Sequence, residues 1–165
     1  MDYPRFDLVI YPSAILERQT APVTKFDSEL KDFVDYMFEV MYKHDGIGLA
    51  APQVGISRSI FVLDISGTPK AFINPNFSVK SDSRLSTLKE GCLSFPGVFV
   101  DVDRNLKIDA EYMDVEGKKI EESFYDIHAI AYQHEFDHLN GITFLTYVGE
   151  LKRKIIRERM INARR

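Results

Sequence analysis

Between Phe26 and Lys43, Phe26, Leu30, Phe33, Val34, Met37 and Met41 recur at helical spacing. The pattern predicts a helix, with Asp27 or Ser28 to cap its start and Asp45-Gly46 to end it. The next stretch, Gly46 to Gly55, is too glycine-rich and proline-broken for a regular helix. Short β-like runs then predict strands at Ser59–Asp64, Lys70–Asn74, Val98–Val102, Leu106–Tyr112 and Lys119–Phe124. The last two flank Asp114-Val115-Glu116-Gly117, which reads as a hairpin turn. A second helix is expected from Asp126, as N-cap, to about Asn140, with Gly141 just past its end. A basic helix over 150–165 closes the chain, with Leu151, Ile155, Ile156 and Met160 as its docking stripe. Consecutive strands with helices at both ends predict an α+β fold: antiparallel or mixed sheets packed around a central helix, with N-terminal and C-terminal helices beside them.

Composition narrows the class without changing this picture. The 165 residues suit one domain, 1–165, and 45% hydrophobic content with 12 Phe and 8 Tyr supplies a core. No apolar run reaches the roughly 18 residues of a membrane span. The opening Met1-Asp2-Tyr3-Pro4-Arg5 does not read as a signal peptide, so a cytoplasmic protein is expected. A single cysteine rules out an internal disulfide and leaves a buried thiol or a ligating thiolate. The net charge is −4, yet seven Lys/Arg and only two Glu lie between Glu150 and Arg165. Such a tail reads first as a solvated helix face and second as a partner-binding arm.

Chemistry concentrates in the second helix. His134-Glu135-Phe136-Asp137-His138 is an H-E-x-x-H pattern. Residues four apart on a helix share a face, so both imidazoles can reach one cation. Glu135 stands about 100° around the helix, beside such an ion rather than on it, where it can act as general base. Ile127, Ile130, Ala131, His134 and His138 form one stripe, whose apolar members direct it to the core. The competing reading is a pair of ordinary core histidines held by hydrogen bonds.

A catalytic site needs a third protein ligand and an open position. The longer metzincin pattern fails, because Phe144 stands where its third His should be. Glu150 and Glu158, thermolysin-like alternatives, lie in the charged tail. Cys92, in Glu90-Gly91-Cys92-Leu93-Ser94, is the remaining strong donor. Alone it reads equally well as a buried structural cysteine; beside H-E-x-x-H it reads as a ligand.

Three segments together resemble the motifs of the peptide deformylases: Gly46 to Gln53 for G-x-G-L-A-A-x-Q, Glu90 to Ser94 for E-G-C-L-S, and Gln133 to Gly141 for Q-H-E-x-D-H-L-x-G. The resemblance implies a mixed α+β fold and one divalent metal on Cys92, His134 and His138, natively Fe(II), with zinc, nickel or cobalt able to replace it. It implies removal of the formyl group from N-formyl-methionyl ends of new polypeptides. Glu135 would serve as base and then acid, with Gln53 and the backbone N–H of Leu93 as oxyanion donors. Ile47, Gly48, Gly91, Ile130 and Ala131 would bind substrate. Gly46 and Gly48 would let the backbone approach an extended peptide. Glu90 and Asp137 are candidates to orient the imidazoles. Phe99 occupies a position where many members carry Arg, a departure at the pocket rim. The basic tail could make weak contact with ribosomal RNA, and a monomer is expected.

Two other classes stay in view. A metalloprotease would explain H-E-x-x-H but not the other two motifs. A non-catalytic metal-binding module would need a fourth ligand, for which His44 and His128 are the remaining histidines.

Overall fold

The computed structural model describes residues 3–163. The first long helix, α1 (Ser28–Lys43), begins at Asp27, whose carboxylate accepts from the Leu30 N–H at 3.1 Å. Phe26 therefore lies outside it. Seven strands follow: β1 (Gly48–Ala50), β2 (Ile60–Ile65), β3 (Thr68–Val79), β4 (Leu85–Gly91), β5 (Phe99–Asn105), β6 (Lys107–Met113) and β7 (Lys119–Tyr125). Then come α2 (Asp126–Leu139) and α3 (Glu150–Asn162). All pairings between these strands are antiparallel. Five strands form a sheet in the order β1-β2-β3-β6-β7, and β4-β5 form a separate pair. This is the expected α+β architecture.

Alternation explains how the layers assemble. Side chains along a strand point to opposite faces. On β2, Ile60 and Val62 join α1 residues Leu30, Phe33 and Met37 in one cluster. Phe61, Leu63 and Ile65 join Tyr132 and Ala129 of α2 in another. Both faces of β2 are buried, so it reads as a nearly unbroken apolar run. Tyr132 is the hub of the second cluster, with its ring edge-on to Phe61 and Phe72 and its hydroxyl donating to the Asn76 carbonyl at 2.9 Å. A third cluster packs Val100 and Val102 of β5 against Phe144, Leu145, Ile156 and Met160. Helix α2 is thus central, in contact with both sheets.

Several expectations shift. β3 runs to Val79 through an irregularity between Ile73 and Asn76, well beyond the predicted Asn74. β4 lies in a stretch too polar to give an alternation signal. Gly46–Gly55 yields the short β1 and a 3-10 turn, Ala51–Val54. Asp126 is the first residue of α2, at φ 48°, rather than its N-cap; Tyr125 takes that place without a side-chain cap. The α3 stripe docks through Ile156 and Met160 alone, leaving Leu151 and Ile155 exposed. No helix among the described residues is long and apolar enough to cross a membrane.

Candidate metal centre

Cys92 follows β4 directly, and His134 and His138 stand one helical turn apart on α2. Their candidate ligand atoms all lie within 4.8 Å of one another, with Cys92 Sγ 3.3 Å from His138 Nε2. His134 turns its Nδ1 to Glu90 Oε2 at 2.8 Å, which leaves Nε2 to face Cys92. The Cys92 thiol and the Glu90 carboxylate therefore both converge on the histidine pair. Burial alone would push the proton off His134, but hydrogen bonds to Cys92 and Glu90 outweigh it and raise its pKa well above the ordinary value. Burial, with the neighbouring His134 charge, holds His138 well below the usual imidazole range and so in the neutral form that ligates metals. The site attracts positive charge, and a soft thiolate with two imidazoles suits a divalent transition ion.

Glu135 sits beside this cluster. Its Oε2 is buried without a hydrogen-bond partner, and burial pushes its pKa up to about 7. The facing backbone is Gly48 of β1, where an added Cβ would stand 2.4 Å from Glu135 Oε1. Room for this carboxylate is a nearer reason for the glycine than approach of a peptide. β1 itself is the edge of its sheet.

The cluster opens onto a cleft of about 860 Å³. Ile47, Gly48, Gln53, Gly91, Leu93, Ile130, Ala131 and Glu135 all line it. Ile127 does too and is half exposed, so the predicted stripe faces the cleft at that end rather than a closed core. Gln53 is fixed by the N–H of Ala50, which donates to its Oε1 at 2.8 Å. Its Nε2 donates to Ser94 Oγ at 3.2 Å and points to Cys92 Sγ at 3.5 Å. Phe99 lies on the rim, largely exposed, with its ring against Gly91.

Of the two predicted orienting carboxylates, only Glu90 reaches an imidazole. Asp137 instead accepts from Arg104 and Tyr147, each at 2.6 Å. Sequence reasoning missed Arg104, a guanidinium only 4% exposed that also contacts Glu90. Ser94, which closes the Glu90–Ser94 segment, is fully buried and accepts from Gln53 Nε2. His44 faces Asp7 at the cleft mouth, and His128 lines a separate hollow beside β2, β3 and β7. Among the described residues, neither joins the three-ligand cluster.

Three side chains that could hold a metal ion, one just after β4 and two on the helix between the sheets, with a buried carboxylate beside them at an open cleft, have the makeup of a metallohydrolase. The chain belongs to the polypeptide deformylase family, whose model matches residues 6–154. It is 40% identical over 156 residues to the peptide deformylase of Thermotoga maritima, covering 94% of each chain. The crystal structure of a T. maritima peptide deformylase superposes with a TM-score of 0.81, covering 87% of this chain and 97% of that one. A crystal structure of Ehrlichia chaffeensis peptide deformylase in complex with actinonin matches with a TM-score of 0.92 at 34% identity, covering 98% of both.

Proposed function

We propose that the protein hydrolyses the N-terminal formyl group of new polypeptides, with formylmethionine as first residue, releasing formate and a free amine. The supporting observation is the Cys92–His134–His138 cluster beside the unpaired Glu135 carboxylate, at a cleft bounded by the free edge of β1. Cys92, His134 and His138 hold one divalent ion, natively Fe(II), with zinc, nickel or cobalt as substitutes. Such an ion polarises a carbonyl and lowers the pKa of water to about 7. Glu135 takes the proton of the attacking water and returns it to the departing amine. Burial raises the pKa of this carboxyl, which favours its return of the proton.

The formyl oxygen accepts from Gln53 Nε2 and the backbone N–H of Leu93. Gln53 is anchored through its Oε1 by the Ala50 N–H, and a donor aimed in this way stabilises developing charge. The bond from Gln53 Nε2 to Cys92 Sγ, at 3.5 Å, is the weaker of its two and the one to redirect. Ile130 and Ala131, one turn before the ligands, wall the methionine pocket with Ile47. The peptide backbone extends along Gly48 and Gly91. The protein acts as a cytoplasmic monomer, with α3 as a weak ribosome contact; unchanged ribosome co-sedimentation at low salt after deletion of the residues beyond Glu150 would end that last part.

The deciding experiment is anaerobic purification followed by formate release from an N-formyl-methionyl tripeptide, with Glu135→Gln in parallel. Turnover by the parent and near-silence of the variant, about 10²–10⁴-fold down, is expected. No formate from the metal-loaded parent would refute the reading.

A further inference from the structure

Arg104 has no part in the steps above, yet it is buried on β5 at the register position that continues Val100 and Val102. A guanidinium is tolerated there only if its donors are matched. We propose that Arg104 is a positioning residue for the metal ligand His134, acting through Glu90. Its Nε donates to Glu90 Oε1 at 2.8 Å and its Nη2 to Glu90 Oε2 at 3.1 Å. This two-pronged grip fixes the plane of the carboxylate. Oε2 is the same atom that meets His134 Nδ1 at 2.8 Å. The orientation of the imidazole, and with it the aim of Nε2, therefore follows from Arg104.

The guanidinium is itself anchored on its far side. Its Nη1 donates to Asp137 Oδ2 at 2.6 Å, and the Tyr147 hydroxyl donates to the same oxygen at 2.6 Å. Its carbon lies 4.9 Å from the centre of the Tyr147 ring. Asp137 precedes His138 on α2, so one cation ties the strand before Cys92 to the helix that carries both histidines. A purely structural clamp between β5 and α2 would alter folding stability alone. A positioning role alters how tightly the site holds an ion.

The test is Co(II) affinity of the full-length protein, measured by chelator competition, for the parent, Arg104→Met, Glu90→Gln and the double variant. The thermal midpoint of each apo-protein is recorded alongside. Arg104→Met should weaken affinity about 10–100-fold, as loss of an outer partner does. In the Glu90→Gln background the same change should add no more than about twofold, because its path is already cut. Unchanged affinity in Arg104→Met, or an equal loss in both backgrounds, would overturn the proposal. Should Arg104→Met fail to fold, Arg104→Lys serves: it keeps the charge but loses the two-pronged geometry. It should bind Co(II) more weakly than the parent, and full affinity in a folded Arg104→Lys would overturn the proposal equally. The inference rests on His134 as a ligand but not on the reaction. A parent that binds Co(II) without releasing formate would sink the deformylase reading and leave this one standing.

Discussion

Replacing Gly48 by alanine adds one methyl group at the most crowded point of the site. The new Cβ would stand 2.4 Å from Glu135 Oε1 and 2.8 Å from Leu63 Cδ2. Ordinary contact begins at 3.4 Å, so the carboxylate must retreat by about 1 Å. A shift of Leu63 would relieve only its own contact and leave the clash with Glu135 in place. The backbone at residue 48 is not left-handed, so alanine brings no strain of its own and the effect falls on Glu135. Displacing a proton-transfer group by about 1 Å costs on the order of 10² in rate, or about 2.7 kcal/mol of barrier. Overpacking should also cost about 1–3 kcal/mol of stability. Steady-state formate release, bound-metal content and the thermal midpoint separate these effects. kcat should fall about 100-fold while the ion is retained, since Gly48 faces no ligand. A folded, metal-loaded Gly48→Ala enzyme with kcat within about threefold of the parent would refute the claim that Glu135 is held in place by this contact.

Chelation should abolish formate release, and adding back Fe(II), Co(II) or Zn(II) should restore it to differing extents, which ranks the metals. Gln53→Leu should lower kcat about 10²–10³-fold; it also strands the buried Ala50 N–H, so urea denaturation should show a loss of about 1–3 kcal/mol. Glu90 supplies a pH signature in the apo-protein. Burial raises its pKa, but hydrogen bonds to His134 and Arg104 outweigh that and bring it from 4.5 to about 2. A folded-state pKa below the unfolded one gives stability that is present above 4.5 and lost as pH falls toward about 2. Urea midpoints should therefore drop more steeply across that window for the parent than for Glu90→Gln, and parallel slopes would count against it.

Legibility of the fold followed the strength of local periodicity. α1 emerged nearly intact because six apolar residues share one face and Asp27 supplies a cap. The β6–β7 hairpin emerged because Asp114 can accept from the N–H groups of Glu116 and Lys118, while Gly117 takes positive φ. β4 stayed hidden because only Glu90 on it is buried, so a partner strand rather than a core face defines it. The α3 stripe was over-read: four apolar residues at helical spacing show that a helix could dock, not how much of it finds a surface.

The site divides the same way. His134 and His138 share one helix, so their separation is set by helical pitch and can be read without a fold. Cys92, Gln53 and Glu90 belong to other elements, and sequence spacing carries no distance between elements; Cys92 was reachable by elimination among strong donors, Gln53 and Glu90 through motif resemblance. Arg104 belonged to neither route, though a signal existed. Val100, Val102 and Arg104 alternate on β5, and the strand predicted to stop at Val102 ends at Asn105. A charge that continues an apolar alternation must meet its counter-charges inside the protein, for a buried guanidinium without partners would not be tolerated. The acids that meet it are Glu90, two residues before Cys92, and Asp137, one residue before His138. The buried charge and the candidate metal centre are therefore one construction: the acids that make Arg104 tolerable in the core are those placed to hold together the strand that leads into Cys92 and the helix that carries His134 and His138.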